Sequence, residues 1–283
     1  MKYLKVGLRY IYYILFFFYS RKDFKYDFPF PPKPLSRLFI PQYYLRFFSY
    51  YYRRKKNQKK FSHDYNDYWK NNKWDQGSYL KWIKTIVNTH MLHIDYDNNI
   101  KKIFKNNPKR LLEIGSGSGH SAATILTYYL NFLTEKENDN KSEMVYYALE
   151  LSKQRSETAK INLETLFGNQ NSYFTIKHIN ENFLSNNFKE KFEYSFLFSV
   201  LETIDDNDIE KFVERTCEIT TKGVYITDLN DKYPGGNPRS HKIVEKIFLK
   251  NNFKLSNYKY KSVTTKGFKN TGKLDLFLER LKY

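Results

Sequence analysis

The sequence predicts an α/β fold with a doubly wound, mostly parallel sheet of seven strands that closes in an antiparallel hairpin. Three observations support this prediction. A glycine-rich turn joins a short apolar strand to a helical pattern, four more apolar runs of strand length alternate with helical patterns, and two last strands follow each other without a helix between them. A basic and aromatic extension, residues 1–60, precedes this part of the chain.

The first strand is the apolar run Leu111–Ile114, and the stretch after it reads GSGSGHSAATI. Ala122, Ala123, Ile125 and Leu126 recur at helical spacing and predict a helix. Glycines permit a tight turn and remove side chains where a ligand approaches the backbone, while the N–H groups at the helix start favour anionic groups. We therefore expect a nucleotide-type site at the carboxyl end of this strand.

The glycine pattern differs from two common nucleotide motifs. A dinucleotide motif would need glycine at position 120, where His120 stands, and a phosphate loop would need a Gly-Lys-Ser/Thr run. The pattern present is Glu-x-Gly-x-Gly-x-Gly, which resembles the first motif of the class I S-adenosylmethionine (SAM)-dependent methyltransferases. The resemblance implies that the acidic strand residue and the loop hold the methionine end of SAM. The residues concerned are Glu113, Gly115, Ser116, Gly117 and Gly119.

A second predicted strand, Met144–Ser152, carries Glu150 near its end. An acidic side chain at this point can accept hydrogen bonds from both ribose hydroxyls of a nucleotide. Glu150 lies 31 residues after Gly119, beyond the usual spacing of about 20, and the polar insertion at residues 134–143 explains the surplus. The resemblance implies the same ribose contact and includes Leu151 in the site. A helix-capping role for Glu150 is the alternative.

The third and fourth predicted strands are Tyr173–Ile179 and Tyr194–Phe198. Asn180 follows the third strand, where the family often has a polar residue that reads the adenine amine; an ordinary loop residue is the alternative. The sequence SVLETIDD after the fourth strand resembles the family's segment at that place. The resemblance implies that this segment lines the cofactor with Ser199, Val200 and Leu201, and that Glu202 lies close by.

The chain closes with three more predicted strands. Gly223–Leu229 carries Asp228 near its end, and Phe253–Val263 and Lys273–Leu281 form a hairpin around the loop TTKGFKNTG. A last strand that runs antiparallel in an otherwise parallel sheet is typical of the class I methyltransferase fold. The resemblance therefore covers residues 77–283, with the methyltransferase domain at 111–283.

Residues 61–110 are expected to form a helical cover of that domain. Apolar residues at helical spacing in this region should pack against the sheet: Leu80, Ile83, Val87, Met91 and Ile94. His90 and His93 stand three residues apart, but no acidic cluster is near them in sequence, so we expect no metal site.

Cysteine content and charge restrict the function further. The one cysteine, Cys217, excludes a disulfide scaffold and a cysteine-cluster metal site, and its expected position within a helix argues against a covalent thiolate mechanism. Residues 1–110 hold 24 Lys and Arg against 7 Asp, whereas residues 111–283 hold 24 against 23 acidic residues. A genome rich in A and T would inflate lysine in both parts, so the basic N-terminal part needs a physical explanation.

Residues 1–60 combine aromatic and basic side chains. The apolar run Tyr10–Tyr19 is too short to span a membrane, which takes about 20 apolar residues. The run YYLRFFSYYYRRKKNQKK at Tyr43–Lys60 suits an anionic membrane interface, single-stranded nucleic acid, or packing on the catalytic domain. We expect the first of these, with a cytoplasmic enzyme held peripherally at the membrane.

Methyl transfer from a sulfonium is an in-line displacement, so the protein mainly aligns the reactants, and a hydroxyl acceptor also needs a base. Asp228 and Glu202 are the first candidates for this base, ahead of His120 and His241. The Asp/Asn-Pro-Pro-aromatic signature of amino-group methyltransferases is missing after the fourth strand. The aromatic and basic N-terminus suits an acceptor made at a membrane, and the chain loosely resembles sugar O-methyltransferases. We therefore expect O-methylation of a glycan or a lipid-linked acceptor. An RNA methyltransferase and a non-catalytic SAM-binding protein are the alternatives.

Overall fold

The computed structural model describes residues 78–87, 99–136, 143–168, 172–185, 187–229, 241–265 and 268–281. Residues 1–60, on which the membrane prediction depends, lie outside these ranges. The elements in chain order are α1 (Tyr79–Thr85), α2 (Lys101–Lys105), β1 (Arg110–Ile114), α3 (His120–Lys136), β2 (Met144–Leu149), α4 (Lys153–Phe167), β3 (Phe174–Ile179), β4 (Phe192–Phe198), a 3₁₀ turn (Leu201–Thr203), α5 (Ile209–Ile219), β5 (Thr220–Leu229), α6 (His241–Lys250), β6 (Phe253–Thr265) and β7 (Phe268–Arg280).

The seven strands form one sheet in the order β3-β2-β1-β4-β5-β7-β6. β1 to β5 pair in parallel, and β7 runs antiparallel between β5 and β6. β1 has β2 on one side and β4 on the other, so the strand order reverses at this point. In open α/β sheets such a reversal leaves a crevice at the carboxyl ends of the strands, where ligands bind. The predicted fold class is confirmed.

Apolar side chains cover both faces of the sheet because neighbouring residues of a strand point to opposite sides. In β4, Phe196 and Phe198 belong to one core layer and Leu197 to the other. The first layer receives side chains from α1, α2, α3 and α4, and the second from α5 and α6. Strands buried on both faces read as continuous apolar runs, which is why they were recognisable in the sequence.

The predicted buried face of α1 is wrong for Leu80 and Val87, whereas Ile83 packs partly buried against the first core layer as expected. Leu80 and Val87 are 78% and 53% exposed, whereas Trp82 and Ile86 are buried. The apolar side chains cover about half of the helix surface, opposite Lys81, Lys84 and Thr85, so spacing alone does not select which part of that arc packs. Residues 88–98, which include His90, Met91, His93 and Ile94, fall outside the part of the chain that the structure describes.

Two predicted loops are shorter than expected. Most of TTKGFKNTG is strand, because β6 extends to Thr265 and β7 begins at Phe268, with Val263 opposite Thr271. Threonine, valine and phenylalanine all favour extended backbone, which explains the longer hairpin. The second loop is the polar insertion at residues 134–143, whose first residues belong to α3 because that helix continues through Lys136. Among the described helices, none is long and apolar enough to cross a membrane.

Candidate cofactor site at the carboxyl edge of the sheet

The turn between β1 and α3 places three glycines in the left-handed backbone region. φ is +72° at Gly115, +56° at Gly117 and +82° at Gly119, a region that side chains with a Cβ disfavour. A Cβ atom at Gly115 would lie 2.7 Å from Cγ2 of Val200, and one at Gly119 would lie 3.0 Å from Cδ1 of Leu163. Backbone conformation and close neighbours therefore both require glycine here.

Backbone hydrogen bonds attach this loop to the end of β2. The N–H groups of Gly115 and Ser116 both donate to the Leu149 carbonyl, at 2.8 and 2.9 Å. The N–H of Gly117 donates to Oε2 of Glu150 at 2.8 Å. Within the described residues, the buried hydroxyl of Ser116 has no hydrogen-bond partner. A buried hydroxyl of this kind is an atom that a bound ligand can satisfy.

Glu150 directly follows β2 and is almost completely buried. Its Oε1 accepts a hydrogen bond from the Ser152 N–H at 2.9 Å, and its Oε2 accepts the bond from Gly117. Each carboxylate oxygen can accept a second hydrogen bond, so the backbone orients the group and leaves capacity for two hydroxyls. The residue that caps α4 is Ser152, whose Oγ accepts from the Arg155 N–H at 3.4 Å.

Asn180 lies after β3 and holds the turn that follows β2. Its side-chain amide donates to the carbonyls of Glu150 and Leu151, at 2.8 and 3.0 Å. The amide thus keeps Glu150 and the half-buried Leu151 in place. Adenine recognition by Asn180 remains a prediction.

Glu113 is a fully buried acid in β1. Its Oε2 accepts a hydrogen bond from the Tyr146 hydroxyl at 2.9 Å. Burial raises the pKa of Glu113 to about 8, against the opposing effect of the Tyr146 hydrogen bond, and repulsion from Glu150 adds to the increase. The same burial and the neighbouring Glu113 raise the pKa of Tyr146. The Glu113 carboxyl is therefore mostly protonated at pH 7.

The chain leaves β4 in a conformation that brings it to the glycine loop. Ser199 has a φ of +56°, unusual for a residue with a side chain, and its N–H donates to the Thr227 carbonyl at 2.8 Å. Such a conformation costs about 1–3 kcal/mol and is frequent at functional sites. Ser199 is exposed, and the next residue, Val200, is buried against Gly115.

The structure brings the two predicted catalytic acids together. The backbone N–H of Glu202, in the 3₁₀ turn after β4, donates to Oδ2 of Asp228 near the end of β5, at 3.1 Å. Both side chains are buried. Asp228 therefore stabilises the turn that follows the neighbouring strand. Of the two histidines considered earlier, His120 begins α3 directly after the glycine loop, and His241 begins α6.

Two further residues contact the glycine loop, and no sequence pattern predicted either contact. The indole Nε1 of Trp82 donates to the Ser118 carbonyl at 2.8 Å across 36 residues of chain. The guanidinium of Arg155 lies next to Gly117, 2.6 Å from the position that a Cβ atom would take there. Both contacts join segments that are distant in sequence or separated by a strand, so no local pattern could reveal them.

Cys217 lies in α5, within a helix after β4 as predicted. Burial raises the pKa of its thiol to about 12, so it stays protonated and is no nucleophile at neutral pH. In the ranges that the structure covers, no group of three or more His, Cys, Asp and Glu residues is arranged to hold a metal ion.

Three solved structures that resemble this chain in fold are methyltransferases. The magnesium protoporphyrin IX methyltransferase of Synechocystis PCC 6803 with bound SAM aligns over 81% of this chain and 97% of its own, with a TM-score of 0.51 and 12% identity. The same enzyme with bound SAH (S-adenosylhomocysteine) aligns over 76% of this chain and 97% of its own, with a TM-score of 0.54 and 12% identity. A SAM-dependent methyltransferase from Clostridium acetobutylicum ATCC 824 aligns over 72% of this chain and 99% of its own, with a TM-score of 0.50 and 11% identity. The sequence itself matches no protein-family model and no curated protein.

Proposed function

We propose that this chain, which has the fold of the class I SAM-dependent methyltransferases, binds SAM and transfers its methyl group to a hydroxyl acceptor. The observation that carries the proposal is the hydrogen bond between the Gly117 N–H and the Glu150 carboxylate. It joins a left-handed glycine loop to a buried acid at the point where the strand order reverses. Nucleotides bind at that point in open α/β sheets.

The residues around this bond fit the chemistry of SAM. The Glu150 carboxylate would accept the two ribose hydroxyls, and the glycine loop with the Ser116 hydroxyl would hold the methionine end. The cofactor would supply an electrophilic methyl group on a sulfonium. The remaining residues proposed for the cofactor site are Glu113, Gly115, Gly119, Leu151, Asn180, Ser199 and Val200.

Asp228 and Glu202 are proposed to take the proton from the acceptor. They meet at the carboxyl edge beside the end of β4, and Val200 connects the same segment to the glycine loop. A base must lie within hydrogen-bond reach of the proton that it removes, and this edge is where an acceptor would meet the cofactor.

A hydroxyl of a glycan or of a lipid-linked molecule is the acceptor class that we favour. The segment after β4 begins with Ser199 and Val200 and lacks the Pro-Pro-aromatic signature that amino-group methyltransferases carry there. The aromatic and basic residues at 1–60 suit an anionic membrane surface, where lipid-linked acceptors occur. Because the same residues suit single-stranded RNA, an RNA methyltransferase is the second candidate.

Calorimetric titration with SAH tests the cofactor site. Glu150→Ala should weaken SAH binding strongly, since each lost hydrogen bond to a charged group costs about 1.5–3 kcal/mol. Glu157→Ala is the matched control, because Glu157 is an exposed acid of the adjacent helix α4. Equal affinity of the wild type and Glu150→Ala would contradict the assignment.

Turnover of SAM to SAH then distinguishes the acceptor classes. We expect turnover with lipid-linked oligosaccharides as acceptors, and none with RNA. Turnover with RNA alone would select the second candidate, and SAH binding without turnover on any acceptor would favour a non-catalytic SAM-binding protein.

A further inference from the structure

We infer that Trp82 is a positioning residue of the cofactor site, because its indole N–H begins a series of three hydrogen bonds that ends on the carboxylate of Glu150. The inference rests on the proposed function, since its effect is measured as cofactor affinity. It assigns helix α1, which lies outside the predicted methyltransferase domain at 111–283, a part in binding the ribose.

The first two hydrogen bonds hold one peptide group at both ends. Trp82 Nε1 donates to the Ser118 carbonyl at 2.8 Å. The N–H of the same peptide group belongs to Gly119 and donates to the Ser116 carbonyl at 3.0 Å. The orientation of this peptide therefore depends on an acceptor within the loop and on a donor from α1.

The third hydrogen bond connects the loop to the carboxylate of Glu150. The Ser116 carbonyl belongs to the same peptide group as the Gly117 N–H, which donates to Oε2 of Glu150 at 2.8 Å. Each peptide group in the series accepts at one end and donates at the other. Hydrogen bonds in such a row polarise one another, so the indole strengthens the bond that orients the carboxylate.

A donor from outside the loop helps to fix the Ser118 peptide group because the neighbouring glycines also allow other orientations of it. Gly117 and Gly119, on either side of Ser118, both have a positive φ, and glycine accepts several other conformations at little cost. Ser118 and Trp82 are buried, so a carbonyl that lost the indole N–H would find no water in its place. The indole thus selects one orientation of the peptide.

Ring contacts hold the indole where the hydrogen bond requires it. The Trp82 ring stacks on Tyr79 with centroids 5.7 Å apart, and it lies against His120 with centroids 5.6 Å apart. His120 is the first residue of α3, so the ring packs against the helix that the loop leads into. A phenylalanine at position 82 removes the N–H donor and keeps an aromatic ring at this place, and its smaller ring also leaves a cavity where the rest of the indole packed.

A double-mutant cycle on the full chain tests the inference, with SAH affinity measured by calorimetry. Trp82→Phe should weaken binding about tenfold, and Glu150→Gln by about tenfold to a hundredfold. The double variant should bind about as weakly as Glu150→Gln alone, because both changes break the same series. Thr85→Ala is the control, since it removes only a hydrogen bond from Thr85 to Lys81 within α1, and should bind as the wild type does.

Wild-type affinity in Trp82→Phe, or a double variant whose loss equals the product of the single losses, overturns the inference. If the wild type itself does not bind SAH, the proposed function is wrong and the inference falls with it. Should Trp82→Phe fail to fold, hydrogen exchange of the three tryptophan indole N–H groups is measured in the wild type instead. One of these N–H groups should exchange slowly with solvent, and more slowly still with SAH present. If no indole N–H is protected in this way, the inference is overturned.

Discussion

Gly115 and Gly168 have similar backbone φ angles, +72° and +79°, but different surroundings. A Cβ atom at Gly168 would meet nothing within 4 Å, whereas one at Gly115 would collide with Val200. Val200 is buried and β-branched, so its side chain has few alternative rotamers. At similar φ, the two positions differ in the contact that an added Cβ atom would make.

Gly115→Ala should lower the free energy of unfolding more than Gly168→Ala. Backbone strain costs about 1–3 kcal/mol in either variant, and overpacking against Val200 adds about 1–3 kcal/mol in the first. SAH affinity should fall in Gly115→Ala alone, because only that change moves the loop. Urea denaturation and calorimetry measure the two effects. Equal losses of stability together with equal affinities would show that the Val200 contact is unimportant.

Asp228→Asn should lower turnover by about 10²–10⁴-fold while SAH affinity stays unchanged. The amide oxygen can still accept the hydrogen bond from the Glu202 N–H, so the turn should persist and only the basic group is lost. Glu202→Gln tests the second acid in the same way. Asp208→Asn, which changes an exposed acid at the start of α5, is the control. Full turnover in both Asp228→Asn and Glu202→Gln would mean that neither acid is the base.

At the scale of one element, strand β1 carries an acid into the core. Leu111, Leu112, Glu113 and Ile114 are all buried, and the acid is kept there by burial in its protonated form and by the Tyr146 hydroxyl. The folded state therefore holds a proton that the unfolded chain releases at lower pH, since the pKa is about 8 in the folded protein against an ordinary value of 4.5.

The stability of the protein should consequently fall as pH rises from 4.5 to about 8. The contribution is fully present below the unfolded pKa and is lost by the folded pKa, a change of roughly 3–5 kcal/mol. Glu113→Gln keeps an acceptor for Tyr146 and removes the proton, so it should flatten this dependence. Urea denaturation near pH 5 and near pH 8.5 measures it. A stability difference between variant and wild type that is the same at both pH values would contradict the raised pKa.

At the scale of the whole molecule, the N-terminal part of the chain and the rest differ in net charge. Residues 1–110 carry almost all of the net charge of +18, and the domain that follows is nearly neutral. This uneven charge along the sequence is the basis of the proposed attachment to an anionic membrane surface. The six Lys and Arg in RRKKNQKK, residues 53–60, are the densest part of this charge.

Replacing those six residues by glutamine in the full chain should weaken binding to anionic liposomes, since each contributes about 1 kcal/mol near such a surface. Added salt should weaken the wild type as well, because charges are screened over about 10 Å at 0.1 M. SAH affinity serves as the control for folding and should not change. Co-sedimentation with liposomes and a single-stranded RNA binding assay are run side by side. Preference for RNA over liposomes, lost in the glutamine variant, would reverse the choice of acceptor class.

Most of the features that could be predicted from the sequence depend on residues that are close together along the chain. The strands buried on both faces stand out as apolar runs, and the glycines between Glu113 and His120 mark a turn that other residues cannot make. Glu150 was recognisable because it ends such a run. Each of these features depends on a few neighbouring residues, so the fold class and the glycine loop could be predicted.

Contacts between distant segments were decided only by the tertiary structure. Trp82 reaches Ser118 across 36 residues, and Asp228 meets Glu202 because β4 and β5 are neighbours in the sheet. The raised pKa of Glu113 requires the packing that removes water from it. The buried part of α1 could not be selected from spacing, since its apolar side chains form an arc wider than the face that packs. Packing, desolvation and the pairing of polar atoms arise when separate elements meet, and no local pattern in the chain encodes them.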